Sequence, residues 1–277
     1  MTAVRRPRTG SRGRHRPWPL CRRCSGLALD MGSDRTRAWI AGRPTILDVP
    51  SVTFPGTGAL HPIRRGAIVD VPGTARMLDR LLGHRLPRQP RPLVVVTTPV
   101  LGGPTYRDRA RAAVQVLRPR AVLTVPTARA VALGADADLT RPLLVVDIGA
   151  HLTEVVLLVD GAVFDARRTA WGTTDLTCAD ARADLCEAVT AMITSMLRQD
   201  HTARTADALG RGPLLAGGGA LRPDLVARLG AGLHAPLRAV AAPHTAALRG
   251  AAKILRAAHA HPSTRGTAPP GPAPCPH

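Results

Sequence analysis

The chain has 277 residues, of which 45% are hydrophobic and 2% aromatic, and it carries a formal net charge of +19. That length permits two modest domains with ample core, built on Leu, Val, Ile and Ala, while the scarcity of aromatics argues against base stacking on nucleic acid and no apolar run approaches a membrane span. The basic residues are almost all arginine, with Lys253 the single lysine; the joint excess of Arg, Ala, Gly and Pro suits a high-GC genome, so the charge favours anionic partners without identifying one.

Residues 1–25 hold eight arginines and no acid among scattered Pro and Gly, the composition of a disordered basic arm. The arm lacks the apolar stretch of a secretory signal. Against an anionic membrane it would contribute roughly 1 kcal/mol per Arg; a solvated tail or a mis-set start codon accounts for it equally well. Cys21 and Cys24 form a lone CxxC with no second pair, short of the about four ligands of a structural zinc site. With Cys178, Cys186 and Cys275 scattered, all five read as free thiols in a reducing cytoplasm.

Strands are predicted near Leu27–Leu29, Arg35–Ile40, Thr45–Asp48, Ala67–Val69 and Leu93–Thr97, with a shorter one at Val122–Leu123. Helices are predicted at Pro72–Leu82, Thr105–Leu117 and Thr127–Leu133, with Pro72 suited to a first helical turn. Further on come the run Leu143–Val159, a strand at Ala162–Arg168 and a long helix over Leu176–Arg198. In that helix Leu185, Val189, Met192, Ile193 and Met196 recur at helical spacing, which marks a core stripe. A short strand at Leu214, a helix at Pro223–Leu229, a strand at Leu237–Val240 and a helix at Thr245–Ala258 follow. The tail, 262–277, is Pro-rich and reads as disordered.

The most informative stretch is LLVVDIGAHLTEVVLLV, Leu143 to Val159. A strand delivers Asp147 and Gly149 into a tight turn and the chain returns as a strand. The glycine lets backbone N–H groups approach phosphate oxygens, and the Asp can hold a metal or its water. The stretch alone is equally a plain hairpin with a polar turn. A second copy, GLALDMGSDRTRAWIAG, runs from Gly26 to Gly42, with Asp30, Gly32 and Thr36 matching Asp147, Gly149 and Thr153. Two such units suggest a duplicated domain whose lobes could grip one nucleotide. A third glycine site, LLAGGGALRPDLVARL, places Gly217, Gly218 and Gly219 between a strand and a helix start, leaving room for a flat ligand or a phosphate against bare backbone.

These three sites, in this order, resemble those of the actin-like ATPase superfamily, with the nearest likeness to MreB, the bacterial actin that organises cell-wall synthesis. Asp30-Met31-Gly32-Ser33 looks like the family's first phosphate motif, Asp147-Ile148-Gly149 through Val155 like its second, and Ala216 to Leu221 like its adenosine motif. Pro62 to Asp70 and Val94 to Pro99 look like two further family segments. The resemblance implies an α/β fold of two duplicated ribonuclease-H-like lobes around a nucleotide cleft, lobe I at 26–140 and lobe II at 141–261. It implies ATP and Mg²⁺ as cofactors, with Asp30 and Asp147 holding the metal through water. Ser33, Asp34 and Arg35, beside Gly32, would face the phosphates from one side. Ala150, His151 and Leu152, beside Gly149, would face them from the other. Gly218, Gly219 and Ala220, beside Gly217, would lie against the adenosine. His151 has three readings: a phosphate contact, a replacement for an absent catalytic group, or a solvent-facing side chain. Strand alternation turns Glu154 away from the cleft, in a structural role.

The departures from the family pattern carry expectations too. Val52 to Pro62 runs almost directly between matched segments, so the first upper subdomain is shortened. An insertion normally found after Gly172–Asp175, which would grip adenine and ribose, is missing. The family's catalytic glutamate is replaced by Pro126-Thr127, neither of which is a general base at neutral pH. At most a weak ATPase is expected. The implied role is a cytoplasmic cytoskeletal protein of cell shape or cell-wall organisation. It would self-associate into filaments or co-assemble with a full-length MreB-like paralogue, and the arm could bring it to an anionic membrane. The alternative is a pseudo-actin scaffold that binds protein partners without nucleotide. A sugar kinase of the same superfamily is disfavoured, because no segment looks like a substrate domain.

Overall fold

The computed structural model describes residues 25–260, apart from residue 57. The basic arm before Ser25, with Cys21 and Cys24, and the Pro-rich tail, with Cys275, lie outside the described residues. Cys178, exposed, and Cys186, buried, are free thiols.

The first half of the chain forms β1 (Gly26–Met31), β2 (Arg35–Ile40), β3 (Ile46–Pro50), a small hairpin of β4 (Ile63–Arg64) and β5 (Ala67–Ile68), α1 (Val71–Leu78), β6 (Leu93–Thr98), α2 (Gly103–Val114), β7 (Ala121–Pro126) and α3 (Thr127–Gly134). The second half forms β8 (Leu143–Ile148), β9 (Thr153–Val159), β10 (Ala162–Thr169), α4 (Ala179–Gln199), α5 (Arg204–Gly210), β11 (Leu214–Ala216), α6 (Pro223–Leu233), β12 (Arg238–Ala239) and α7 (Ala246–Ala260). The large strands make two five-stranded sheets of the same design, ordered β3-β2-β1-β6-β7 and β10-β9-β8-β11-β12. In each, the first three strands form an antiparallel meander and the last two join in parallel. The repeat read from the two Asp–Gly turns therefore extends to the whole sheet.

Several predicted elements shift at their ends for local reasons. α1 starts one residue before Pro72, because Asp70 caps it by accepting from the Gly73 N–H at 2.8 Å. Its α-helical hydrogen bonding stops at Leu78 and a π-helical turn carries the chain to Gly83. The strand expected at Val122–Leu123 is six residues long, since it pairs with β6 along its whole length. The helix expected from Leu176 starts at Ala179, after a turn at Thr173–Asp175 and a cap at Cys178. The helix α5 was not predicted. Its start is set by Asp200, whose carboxylate accepts from the Thr205 N–H at 2.6 Å and the Thr205 hydroxyl at 2.8 Å, and such a cap leaves no apolar period to read.

Alternation along the strands decides which face meets what. Leu27, Leu29 and Met31 of β1 point to the outer core with α1 and α2, beside Ile68, Leu78, Leu82 and Tyr106. Leu144, Val146 and Ile148 of β8 do the same toward α4 and α6. The opposite faces, with Ala28, Val95, Val145 and Val156, share one central core with α3 and α7. Thus α7, expected within lobe II, packs against β1 and β6 of lobe I and against α3. The α3–α7 crossing is backbone against backbone. A Cβ on Gly134 would stand 2.1 Å from the Ala246 carbonyl oxygen, and one on Gly250 would stand 1.7 Å from that of Ala130. Alanines 128, 130, 132, 246, 247 and 251 line the crossing, so close approach is written in small side chains. Lys253 closes the α3 terminus, donating to the Leu133 carbonyl at 2.9 Å.

The upper subdomains are reduced to traces. Among the described residues between β3 and β4, a single bridge pairs Thr53 with Leu60, and three residues separate the turn at Thr173–Asp175 from α4.

Candidate functional site

The polar residues of the central face gather beyond the ends of α3 and α7, at the carboxyl ends of the parallel strands, where open α/β sheets bind ligands. Here a cavity of about 180 Å³ opens between the two sheets. Its floor is made by the twin turns. The Gly32 N–H donates to the Arg35 carbonyl at 3.0 Å, and the Gly149 N–H to the Leu152 carbonyl at 2.8 Å. A Cβ on Gly32 would meet the Arg35 oxygen at 2.9 Å, and one on Gly149 the Leu152 oxygen at 3.0 Å. Both glycines are required by the same narrow turn.

Of the residues singled out from the sequence, Asp30, Gly32, Ser33, Asp34, Arg35, Asp147, Gly149, Ala150, His151, Leu152, Gly217 and Gly218 line this one cavity. Gly219 and Ala220 do not. Gly219 is buried, and a Cβ there would stand 2.4 Å from the Ile148 side chain. Ala220 packs on the lobe II core. The cavity, at about 180 Å³, is smaller than the ~300–1,000 Å³ of typical ligand pockets. Gly217 adopts φ 80°, and a Cβ on it would meet the Ile148 carbonyl oxygen at 2.3 Å and Asp147 Oδ1 at 2.5 Å. That glycine lets β11 pass against the carboxylate. His151 is half-buried and lines the cavity.

Other lining residues were not among the predicted ligand contacts. Thr97 donates its hydroxyl to Asp30 Oδ1 at 2.6 Å. Tyr106 donates to the Met31 carbonyl at 3.2 Å, and burial, with the Asp30 and Glu154 charges, pushes its phenol up. Thr127, Thr173, Arg37 and His244 add to the polar lining. Glu154 also borders the cavity, so it is not turned away as alternation suggested. It is 4% exposed and accepts from the N–H groups of Val100 and Leu101, both at 3.1 Å. Its neighbour on β10, Arg168, donates to the Leu101 carbonyl at 3.1 Å. Lobe II thereby clasps the segment after β6 of lobe I. The Glu154→Ala protein is expected to lose about 1–2 kcal/mol of stability, since two partly buried N–H groups lose their acceptor. Urea unfolding would measure it, with faster amide exchange at residues 100 and 101 as the local signature.

The electrostatics are those of a site that holds more negative charge than it neutralises. Burial raises the Asp147 carboxyl to about 7, helped by the charges of Asp30 and Glu154. Burial also raises Asp30, against the hydrogen bond from Thr97 and the charge of Arg37. Both carboxylates are half-buried, and both face the cavity. Glu154 is raised by burial although its two backbone bonds favour the ion. Two carboxylates at strand ends, bare turns and a raised pKa suit a hydrated divalent cation with phosphate oxygens. Among the described residues no three of His, Cys, Asp and Glu are placed to hold a metal directly.

Across the mouth, the β4–β5 turn of lobe I meets lobe II. Leu152 packs over Gly66, with its Cδ2 where a Cβ would be 2.7 Å away. Arg65 donates to the Ala170 carbonyl and, at 3.0 Å, to Asp175 Oδ1.

Comparison with known proteins places this geometry. The family model described as MreB/Mbl protein matches residues 54–177. MreB5 of Spiroplasma citri, solved bound to ADP and to AMPPNP, superposes with a TM-score of 0.72 at 14% identity, over 83% of this chain and 95% of that one. The MamK double helical filament superposes with a TM-score of 0.72 at 16% identity, over 86% of this chain and 99% of that one. No curated protein sequence matches. At these identities the structural likeness speaks for the fold, which is the actin-like ATPase fold that the sequence resembled.

Proposed function

We propose that this MreB-like chain, an actin-family cytoskeletal protein, binds ATP with Mg²⁺ in the cleft between its lobes and hydrolyses it slowly or not at all, in a role in cell shape or cell-wall organisation. The observation that carries the reading is the pair of matched turns that present Asp30 and Asp147 to one cavity. In this reading both carboxylates hold metal-bound water. The cation, when bound, offsets the charge of the phosphates and of the two carboxylates. Ser33, Asp34, Arg35, Ala150, His151 and Leu152 lie around the phosphates. Thr127, at the position expected of a catalytic base, supplies none, which argues for slow turnover.

Self-association follows from the likeness to MreB and MamK, whose comparison includes a double helical filament. Co-assembly with a fuller paralogue is the variant that the reduced upper subdomains favour. The Leu93 N–H donates to the Ser25 carbonyl, and the Arg120 N–H to that of Pro92; Arg43 reaches the Arg85 carbonyl at 3.1 Å. Arg43 and Arg120 are exposed, and with the eight arginines that the sequence holds before Ser25 their charge supports binding to anionic lipid. Among the described residues no helix is long and apolar enough to cross a membrane.

Thermal unfolding with and without millimolar ATP and Mg²⁺ tests the reading. A ligand at 100 times its Kd stabilises by about 2.7 kcal/mol, which for a chain of this size shifts Tm by roughly 5–10 °C. Loss of the shift in EDTA, or on Asp147→Ala, places it in the cleft. A shift that survives Asp147→Ala would refute the site, and no shift at all would favour the second reading, a partner-binding scaffold without nucleotide. The small cavity and the latch of Leu152 and Arg65 across its mouth speak for that second reading. Pelleting and electron microscopy then separate filament from monomer.

A further inference from the structure

Of the four strands at the edges of the two large sheets, β10 is the longest. It has eight residues, against five in β3, six in β7 and two in β12. Short length and proline both protect a sheet edge from pairing with another chain. β12 has the first protection, and β3 and β7 end on Pro50 and Pro126. β10 has neither, only a bulge near its start, between Val163 and Asp165. Val163 and Phe164, at that bulge, are 37% and 49% exposed.

The middle of β10 shows how its open side is covered. The Ala166 N–H donates to Asp165 Oδ1 at 2.7 Å, and the Ala166 carbonyl accepts from Arg167 Nη1 at 2.8 Å. Asp165 and Arg167 also pair with each other, and Arg167 donates to Gln199 at the end of α4. Both backbone groups of one residue are therefore held by side chains of its own strand. In an antiparallel ladder a residue turns its N–H and C=O to the same side. Only β9 adjoins β10, so side-chain partners on both groups mark Ala166 as turned to the side where no strand lies.

The sequence about Ala166 is complementary to itself. Let a second β10 lie antiparallel beside the first, centred on Ala166. Asp165 of each copy then lies opposite Arg167 of the other, and Phe164 lies opposite Arg168. Opposite charges across a strand pair stabilise it, and like charges directly opposed destabilise it. Moving the centre by one residue sets Asp165 against Asp165 or Arg167 against Arg167, so the charges select one register.

We propose that the open edge of β10 binds a second copy of this chain, the two strands pairing antiparallel about Ala166 and joining two lobe II sheets into one. In the monomer Asp165 and Arg167 stand in for the absent strand. On pairing, Ala166 exchanges them for the backbone of the other copy, and the released carboxylate and guanidinium pair across the interface. Polar groups are satisfied in both states, so association is reversible, and covering Val163 and Phe164 favours the pair. The contact uses the same edge on both copies and closes at two, whereas a filament needs contacts that continue. It rests on neither the nucleotide nor the filament reading.

Sedimentation velocity of the full chain from about 1 µM to about 1 mM tests this, at ~0.15 M salt, where repulsion from the net charge is screened beyond ~8 Å. Wild type is expected to show a monomer–dimer equilibrium. Asp165→Arg and Arg167→Asp each set like charges opposite one another at both symmetric positions, and each should raise the dissociation constant about tenfold or more. An equal mixture of these two variants should associate as wild type does, because each supplies at both positions the charge that the other lacks. Asp108→Arg changes the net charge equally on an exposed part of α2, and it should associate as wild type. Ala166→Pro, which removes the N–H that the pairing needs, should be monomeric; if it does not fold, the two charge variants carry the test. A wild type that stays monomeric to about 1 mM, single charge variants that associate as well as wild type, or a mixture that fails to recover would each overturn the proposal. Larger assemblies that persist in both charge variants would overturn β10 as the interface and leave the filament reading standing.

Discussion

At pH 8 and without ligand, the Asp147→Asn protein is expected to melt about 5 °C above wild type, on the order of 2 kcal/mol for a domain of this size. The cause is the conflict built into the cleft. The Asp147 carboxyl is raised to about 7 by burial and by its neighbours Asp30 and Glu154, whereas in the unfolded chain it titrates at its ordinary value. Between about 4 and 7 the native state therefore holds a proton that the unfolded state has released. Stability contributed by this group is full below the unfolded value and is lost as pH rises through the folded one. Asparagine keeps the shape and never ionises, so the gap in melting temperature should open between pH 5 and 7 and level off above. A gap that is flat across pH 5–8, or that has the opposite sign, would contradict the assignment. The same substitution should abolish stabilisation by ATP with Mg²⁺, since the cation then has one carboxylate instead of two. A variant that gains stability while losing its ligand response is the signature of a residue kept for binding.

Gly250→Ala should be the most damaging small substitution in the described chain, costing more than about 3 kcal/mol and leaving little soluble protein. Its Cβ would stand 1.7 Å from the Ala130 carbonyl oxygen, a backbone atom that cannot rotate aside. The helices α3 and α7 would have to move apart along a core that both sheets share, and overpacking of that kind costs ~1–3 kcal/mol even where side chains can yield. Gly210→Ala is the control. Nothing lies within 4 Å of a Cβ there, and the glycine ends a helix, so the change should stay within about 1 kcal/mol of wild type. Urea midpoints of the two variants decide it: a Gly250→Ala protein as stable as Gly210→Ala would mean that the crossing is looser than its geometry states.

Asp30 and Asp147, Gly32 and Gly149, and the strands around them were legible as a repeat, because a strand–turn–strand unit is local and its spacing survives in the chain. The second strand of the first copy has the predicted bounds, Arg35–Ile40. The glycine run at 217–219 was legible as a turn, but not in its parts. Gly217 belongs to the cleft, whereas Gly219 is a packing residue against Ile148, and a row of three identical residues cannot show which of them faces a ligand. Arg37 stood seven residues after Asp30, as Glu154 stands after Asp147, so extending the repeat by a few positions would have pointed to it.

The sequence by itself thus determined the duplicated α/β halves and the two carboxylate turns, since each depends on residues that are neighbours along the chain. Only the tertiary structure decided that Asp48 pairs with Arg35 and Arg37, that Thr97 holds Asp30, that Glu154 clasps Val100 and Leu101, and that Gly134 and Gly250 set the crossing of α3 and α7. Those partners are brought together by sheet register and helix packing across both lobes, and a linear pattern of apolar and polar residues states which face is buried but not which residue meets which.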